Sequence, residues 1–355
     1  MTSLALWLPI ALASPPPAQS GPKSTQAGSL PLQALTQIDC PDFAQLASDY
    51  QSRFFAPMQF WSIEHLSRMG TRRVMYPFSG PDVITPLALF GSADHLILVA
   101  DQMPELSASD GQTAQRIHKE CQTQKFFSRL GYFRTNDLEG KGSVRPRFTK
   151  MLVYSALISG STIERMIALD ILPDGKLREM ELASFSGYDG LRMVIKTPEQ
   201  RRVTVDYLRI NLSNSGLKPD SLEWRFLSEH MASTVFLKSA SHLPQKSHFS
   251  VLTDLIASRA QVLVQDETGL DIEVMKRHFR VDAHGRFNRP HPLWKDSASA
   301  QRLSDFLSER PAIAQLPFVM GYEKPSGSIV LIGSRPGQRP AALSAVSSQR
   351  PAARP

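Results

Sequence analysis

The sequence predicts an α/β protein in which a mixed, largely parallel sheet carries helices on both faces, a Rossmann-like arrangement. Three observations support this fold class. Continuous apolar runs such as 95–100 are typical of strands that are covered on both faces. Segments with helical periodicity lie between these runs, as in parallel α/β sheets. Two runs, 190–196 and 202–210, flank a Thr-Pro-Glu-Gln-Arg turn and predict a hairpin in the middle of the chain.

The first half of the chain predicts alternating helices and strands. Apolar residues recur at helical spacing from Asp42 to Arg68, and Gly70 then terminates this helix. The elements expected after it are a buried strand over 72–78, a tight turn over 79–82, a short helix over 83–90, a buried strand over 95–100, and helices over 113–130 and 147–157.

The second half predicts the hairpin, then a strand over 260–265 and a last pair of strands over 317–322 and 328–332. The segment 280–289 is interpreted as an arginine-rich loop. His278, His284 and His291 surround it, and histidines scattered in a polar loop are more typical of a surface than of a metal site.

Composition separates the two ends from the body. Residues 14–35 are rich in Pro, Ser, Gln and Gly, and residues 334–355 in Arg, Pro, Ala and Ser, so both are expected to be disordered. A single folded domain is therefore expected over 36–333. The net charge is +7, but omitting the four arginines of 334–355 and Lys23 leaves +2. A nearly neutral body argues against nucleic acid as a partner.

The N-terminus predicts export. Residues 4–13 are apolar, and Ala11 and Ala13 fit the small-x-small pattern of a signal peptidase site, so residues 1–13 are expected to be a signal peptide. The protein would then be periplasmic or secreted; a cytoplasmic protein is the alternative. Cys40 and Cys121 fit export if they form a disulfide, and a reducing cytosol if both are free thiols. No apolar run reaches the roughly 20 residues of a membrane-spanning helix.

The first candidate site follows the first strand. Ser79, Gly80 and Asp82 form its turn, and Asp101 ends the next strand. In dinucleotide-binding folds such a turn binds phosphate, and an acid about 20 residues further on binds ribose. These residues resemble the first two motifs of class I methyltransferases, which implies an adenosine-bearing cofactor. The turn departs from that pattern in having one glycine and in Pro81, which lacks an N–H. A structural turn capped by Asp82 is the preferred interpretation, and no cofactor is predicted.

The second candidate site comprises Lys238, His242, Asp266 and Glu267. The two acids follow a buried strand, a position that often carries function in α/β proteins. Four side chains offer a nucleophile and a base: Lys238, Ser239, Ser241 and His242. A hydrolase-type enzyme would use His242 with Asp266 or Glu267 as the acid–base pair. Neither GxSxG nor SxxK surrounds them, and His242 and His248 lack the spacing of HExxH, so no metal is predicted. A strand-end turn with solvated acids is the structural alternative.

Four segments resemble those of an uncharacterised bacterial protein family in which similar blocks occur in the same order: 76–82, 237–243, 265–269 and 317–322. The resemblance implies a bacterial source and one folded unit, and no particular chemistry. The sequence thus favours an exported binding or envelope-associated protein whose ligand is a small molecule or an envelope component. A hydrolase and a methyltransferase-like cofactor binder are the alternatives, and export disfavours the second because nucleotide-bearing cofactors are made in the cytoplasm.

Overall fold

A ten-stranded mixed sheet organises the chain in its computed structural model, in the order β4-β3-β5-β6-β2-β1-β7-β8-β10-β9. The five central strands, β6 to β8, are parallel, and antiparallel strands extend the sheet on both sides. The α/β fold class with a Rossmann-like parallel centre is therefore confirmed. The structure describes residues 32, 36–100, 114–133, 148–181, 188–238, 242–287, 297–310, 314–321 and 327–337.

The strands are β1 (Arg73–Pro77), β2 (His95–Ala100), β3 (Thr162–Ile171), β4 (Leu177–Met180), β5 (Gly190–Lys196), β6 (Arg202–Arg209), β7 (Thr234–Leu237), β8 (Val262–Gln265), β9 (Arg280–Gly285) and β10 (Ile329–Ser334). The helices are α1 (Phe43–Tyr50), α2 (Ala56–His65), α3 (Ile84–Leu89), α4 (Ala114–Leu130), α5 (Phe148–Ile158), α6 (Leu222–His230), α7 (Ser250–Arg259), α8 (Ile272–His278) and α9 (Ala298–Ser308).

Helices cover both faces of the sheet because its strands are apolar on both sides. Along β2, Leu96 and Leu98 join one buried cluster, whereas Ile97 and Val99 join the other, as the alternation of side chains in a strand requires. The first cluster includes the buried side chains of α1 to α5, and the second includes those of α6 to α9. Each face thus has its own apolar core.

The helix predicted over 42–68 is built in two parts. A π-helical turn, Gln51–Phe55, joins α1 to α2, and Pro57 follows it at the start of α2. Because proline has no N–H to donate, the regular hydrogen-bond ladder is interrupted there. A 3₁₀ turn, Ser67–Met69, ends at Gly70 with a φ of 57°, the left-handed conformation that glycine adopts at helix ends.

Two of the secondary-structure elements expected from the sequence are wrong. The segment 280–289 is not simply a loop, because β9 pairs with β10 along its whole length from Arg280 to Gly285. The apolar run 317–321 is not a strand. Its backbone at Met320 bonds instead to the side chain of Ser328, whose hydroxyl accepts from the N–H at 2.9 Å and donates to the carbonyl oxygen at 3.0 Å.

The folded body also extends past the expected boundary at residue 333. Ser334 pairs with Arg280 and Val262 at the end of β10. Arg335 then donates hydrogen bonds to the carbonyl oxygens of Ala257 and Ala260, at 2.6 and 2.9 Å. Among the residues that the structure describes, none of the helices combines the length and the hydrophobicity needed to cross a bilayer.

The topology places a switch point between β1 and β7. From β1 the chain passes through α3 to β2 on one side, and from β7 it passes through α7 to β8 on the other. In open α/β sheets the loops that leave two such strands diverge, and a crevice forms at their carboxyl ends. This geometry makes the loops after β1 and β7 the first place to look for a site.

Candidate functional site

The predicted residues of the two loops meet at this carboxyl edge. Lys238, directly after β7, is buried, and its Nζ lies 2.7 Å from Oδ2 of the buried Asp82. The same ammonium donates to Thr85 Oγ1 at 3.0 Å and to the carbonyl oxygen of Gly131 at 2.6 Å. An ammonium has three N–H donors, so these three acceptors satisfy it. This lysine therefore joins the loop after β1, the start of α3 and the end of α4.

Asp82 is satisfied in the same way. Its Oδ1 accepts the backbone N–H of Thr85 at 3.1 Å, which is the capping role expected from the sequence, and its Oδ2 accepts the hydroxyl of Tyr76 at 3.3 Å. Burial, followed by the charges of Asp82 and Asp266, raises the pKa of Tyr76 well above its ordinary value. The tyrosine therefore stays protonated and remains a donor to Asp82 at neutral pH.

The turn before Asp82 has two residues with a left-handed backbone. Gly80 has a φ of 54°, and the non-glycine Phe78 has a φ of 57°. Ser79 is buried, and its N–H donates to the carbonyl oxygen of Val99 at 3.1 Å, which holds the turn against the end of β2. Asp101, the fourth predicted ligand-binding residue, lies outside the described residues.

The other predicted catalytic residues lie along the same edge. His242 has a left-handed backbone, and its Nδ1 is 2.9 Å from Oε1 of Gln245. Gln245 donates in turn to the carbonyl oxygen of Gly269, in the loop after β8. Asp266 Oδ1 accepts both the N–H and the hydroxyl of Thr268, at 2.8 and 2.6 Å.

Glu267 packs against the backbone of Gly321, where a Cβ would lie 2.4 Å from both of its carboxylate oxygens. The expectation that Asp266 and Glu267 are solvated acids is wrong, because both are buried. No cluster of three or more His, Cys, Asp or Glu side chains suited to a metal occurs in the part of the chain that the structure describes.

A large cavity lies at the opposite, amino-terminal edge of the parallel strands. It has a volume of about 1220 Å³ and lies between the starts of β1, β7 and β8 and the edge strand β9. Six arginines line it, and we call it the arginine groove: Arg68, Arg72, Arg73, Arg280, Arg310 and Arg335. Two acids, Glu64 and Asp282, also line it, so its walls carry an excess of positive charge. Such an excess attracts anions.

Several of these arginines are held in place by the fold. Arg310 stacks over the ring of Phe306, with 4.0 Å from its Cζ to the ring centre. Arg335 is fixed by carbonyl oxygens at the end of α7, where a cation also complements the helix dipole. By contrast, Arg72 and Arg280 are exposed and make only the surface ion pairs with Asp94, at 2.5 Å, and Asp282, at 3.5 Å, among the residues described.

Two histidines complete the wall of the groove. The rings of His65 and His284 lie 4.6 Å apart, and the ring of Trp61 lies edge-on to His284 at 5.4 Å. Burial, followed by the electrostatic effect of the neighbouring His65, lowers the pKa of His284, and the nearby Asp282 and Glu64 offset this only in part. His284 is therefore neutral in the free protein at pH 7.

The sequence did not indicate this groove. Its arginines come from separate segments around 68–73, 280, 310 and 335, and each segment on its own is unremarkable. The one signal available was the arginine-rich stretch 280–289, which was interpreted as a loop.

Comparison of the chain with models of known protein families, with curated proteins and with solved structures found no match.

Proposed function

We propose that the protein is an exported binding protein whose ligand carries phosphate or carboxylate groups, either as a small molecule or as part of an envelope component. The observation that carries this proposal is the arginine groove, in which six arginines and two histidines face about 1220 Å³ of space. Guanidinium groups bind planar or tetrahedral oxyanions through paired N–H donors. A cavity of this size accommodates a ligand with several such groups.

Two features support export. The N-terminal stretch 4–13 has the composition of a signal peptide. Cys40 and Cys121 are joined in the structure, with their Cα atoms 5.4 Å apart. Disulfides persist in oxidising compartments such as the periplasm. An exported protein also meets anionic glycans and lipids of the cell envelope, which suits a basic groove.

The carboxyl-edge residues support binding or scaffolding better than hydrolysis. The three donors of Lys238 are engaged by Asp82, Thr85 and Gly131, so this lysine has no free lone pair and no vacant N–H to offer a substrate. The acid–base role suggested for His242 with Asp266 or Glu267 remains a prediction. It requires the imidazole to exchange its bond with Gln245 for one with a substrate.

The proposal is tested by calorimetry of the full chain with tripolyphosphate as the probe. The double variant Arg72→Gln/Arg280→Gln removes two exposed groove arginines, each of which has one surface acid as partner. The expected result is micromolar to millimolar binding that weakens about thirtyfold in the variant, since two charge-assisted contacts of about 1 kcal/mol each are lost.

The matched control is Arg165→Gln/Arg178→Gln, which removes the same charge from two exposed, ion-paired arginines of β3 and β4, at the far end of the sheet. Its affinity for tripolyphosphate should be that of the unmodified protein. An equal loss in both double variants would show that the probe responds to net charge and not to the groove.

A further inference from the structure

The most exposed apolar side chains of the described residues lie together on α2. Four large apolar residues in the described part of the chain are exposed: Ile38 at 43%, Phe60 at 75%, Ile63 at 66% and Leu222 at 38%. Phe60 and Ile63 are three residues apart on the helix, so they project from the same side. The opposite side of α2 is anchored in the core by Met58 and Trp61. The helix thus presents an aromatic and a branched aliphatic side chain to the exterior on a rigid support.

These two residues border a second, mainly apolar cavity of about 490 Å³, which we call the α2 groove. Its wall includes Phe55, Leu66, Leu87, Leu89 and Phe90. These wall residues are buried, so the exposed apolar surface consists of Phe60 and Ile63 at the rim of an apolar cavity. Neighbouring exposed apolar side chains beside such a cavity indicate a surface that contacts a partner, a ligand or a membrane.

The α2 groove adjoins the arginine groove. Glu64 and His65, in the last turn of α2, line the arginine groove, and Thr71 lines both cavities. Arg68 and Arg72 are exposed on the short segment that separates the two. One stretch of chain therefore carries an apolar protrusion and, one to two turns further on, a concentration of positive charge.

We infer that this face docks the protein on an anionic lipid surface, with Phe60 and Ile63 in the headgroup–acyl boundary and the groove arginines on lipid phosphates. The inference rests on the proposed anion-binding function, because it assigns the same arginines to a lipid source of phosphate. Peripheral proteins combine these two elements, exposed aromatic or aliphatic side chains and basic residues that contact anionic headgroups.

Charge favours a lipid surface over a second copy of the chain. A two-fold dimer would bring the same face of both subunits together. The arginine groove of one copy would then lie beside that of the other, and like charges would oppose the contact. An anionic membrane presents the complementary charge to the arginines while receiving the apolar side chains.

The test is sedimentation of the full chain with vesicles of phosphatidylcholine alone, and with vesicles in which about a third of the lipid is phosphatidylglycerol. The unmodified protein should sediment with the anionic vesicles only. Phe60→Ser/Ile63→Ser should reduce the partition coefficient about tenfold or more, because two inserted side chains are lost. The control Ile38→Ser/Leu222→Ser removes the other two exposed apolar residues and should bind as the unmodified protein does.

Tripolyphosphate binding separates this inference from the proposed function. Phe60→Ser/Ile63→Ser should leave that affinity unchanged, whereas Arg72→Gln/Arg280→Gln should weaken both tripolyphosphate and vesicle binding. Retention of tripolyphosphate binding with no vesicle binding would overturn the docking inference and leave the anion site intact. Equal binding to both vesicle types, or a dimer of the unmodified protein that Phe60→Ser/Ile63→Ser converts to a monomer, would also overturn it.

Discussion

At the scale of single residues, Lys238 and Asp82 connect three segments that are distant in sequence, which are residues 76–85, Gly131 and Lys238 itself. Asp82 was expected to act as a helix cap, with a cost of about 1 kcal/mol on its removal. The structure adds a buried ammonium 2.7 Å away, and neither group contacts bulk water. Loss of either partner leaves the other charged and desolvated, which costs more than a lost cap.

We therefore expect Lys238→Met to lower the free energy of unfolding by about 3–5 kcal/mol in denaturant titrations. Asp82→Asn should lower the free energy of unfolding by a comparable amount. The loss in the double variant should be smaller than the sum of the two single losses by at least about 1 kcal/mol, because the double variant leaves no unpaired charge. Ser221→Ala provides a control, since Ser221 caps α6 through Trp224 without a buried charge and should cost about 1 kcal/mol. Additive losses at Asp82 and Lys238 would contradict the coupling.

His284 predicts how anion binding depends on pH. Burial and the electrostatic effect of the neighbouring His65 lower its pKa, while Asp282 and Glu64 raise it. A bound anion would favour the imidazolium, so binding takes up a proton and affinity increases as the pH falls. Between pH 7.5 and 5.5 we expect the tripolyphosphate affinity of the unmodified protein to rise about fivefold relative to that of His284→Asn, a ratio in which the protonation of the probe cancels. The measurement is calorimetry at constant ionic strength.

The matched control is His248→Asn, at an exposed histidine outside the groove, which should keep the pH dependence of the unmodified protein. The contribution of His284 to folding stability changes with pH in the opposite direction to the anion affinity. Because the folded-state pKa of His284 is lowered, its contribution is present above the unfolded pKa of about 6.5 and decreases as the pH falls below it. An unchanged slope in His284→Asn would assign the pH effect to another group.

At the scale of elements, strands with clear apolar runs could be predicted and polar strands could not. The bounds expected for the strand 95–100 match β2, and the hairpin 190–210 matches β5 and β6 to within one residue. β9 was missed because its sequence, Arg-Val-Asp-Ala-His-Gly, has few apolar residues, as suits an edge strand beside the arginine groove. The strand predicted over 317–322 is wrong because its apolar residues Phe318 and Met320 are buried without strand pairing.

Buried charge inside the sheet was also beyond prediction from local patterns. Asp206 of β6 is buried between Arg192 of β5 and His95 of β2, whose nitrogens lie 2.6–2.8 Å from its carboxylate oxygens. Burial alone would raise the pKa of Asp206, but the hydrogen bonds from Arg192 and His95 lower it overall. Its partners come from different strands, so only the strand order reveals that this polar position belongs to the interior.

At the scale of the whole molecule, the predicted site residues and the arginine groove lie at opposite edges of the parallel strands. The sequence directed attention to the carboxyl edge, because a Gly-Pro turn and strand-end acids are local signals. Those residues do gather there, around Lys238 and Asp82. The arginine groove at the other edge depends on the fold, which brings arginines from four segments together. A net charge of +2 over the predicted body gave no indication of it, because acids elsewhere balance the arginines.

The boundary of the folded body can be tested with two truncated chains, 32–337 and 32–333, which differ by four residues at the C-terminus. A chain of residues 32–337 keeps Leu32, which packs on the first core, and Arg335, which bonds to Ala257 and Ala260. Its thermal midpoint should stay within about 2 °C of the full chain, because the omitted tails lack apolar periodicity.

A chain of residues 32–333 loses the Ser334 pairing and all the contacts of Arg335, including its position 4.8 Å over the ring of Phe279. Two charge-assisted hydrogen bonds and a cation–π contact together contribute on the order of 3–5 kcal/mol. The midpoint, followed by circular dichroism, should therefore fall by about 5–10 °C relative to 32–337. Equal midpoints for the two truncations would mean that the folded body ends before Ser334 and that Arg335 does not contribute to its stability.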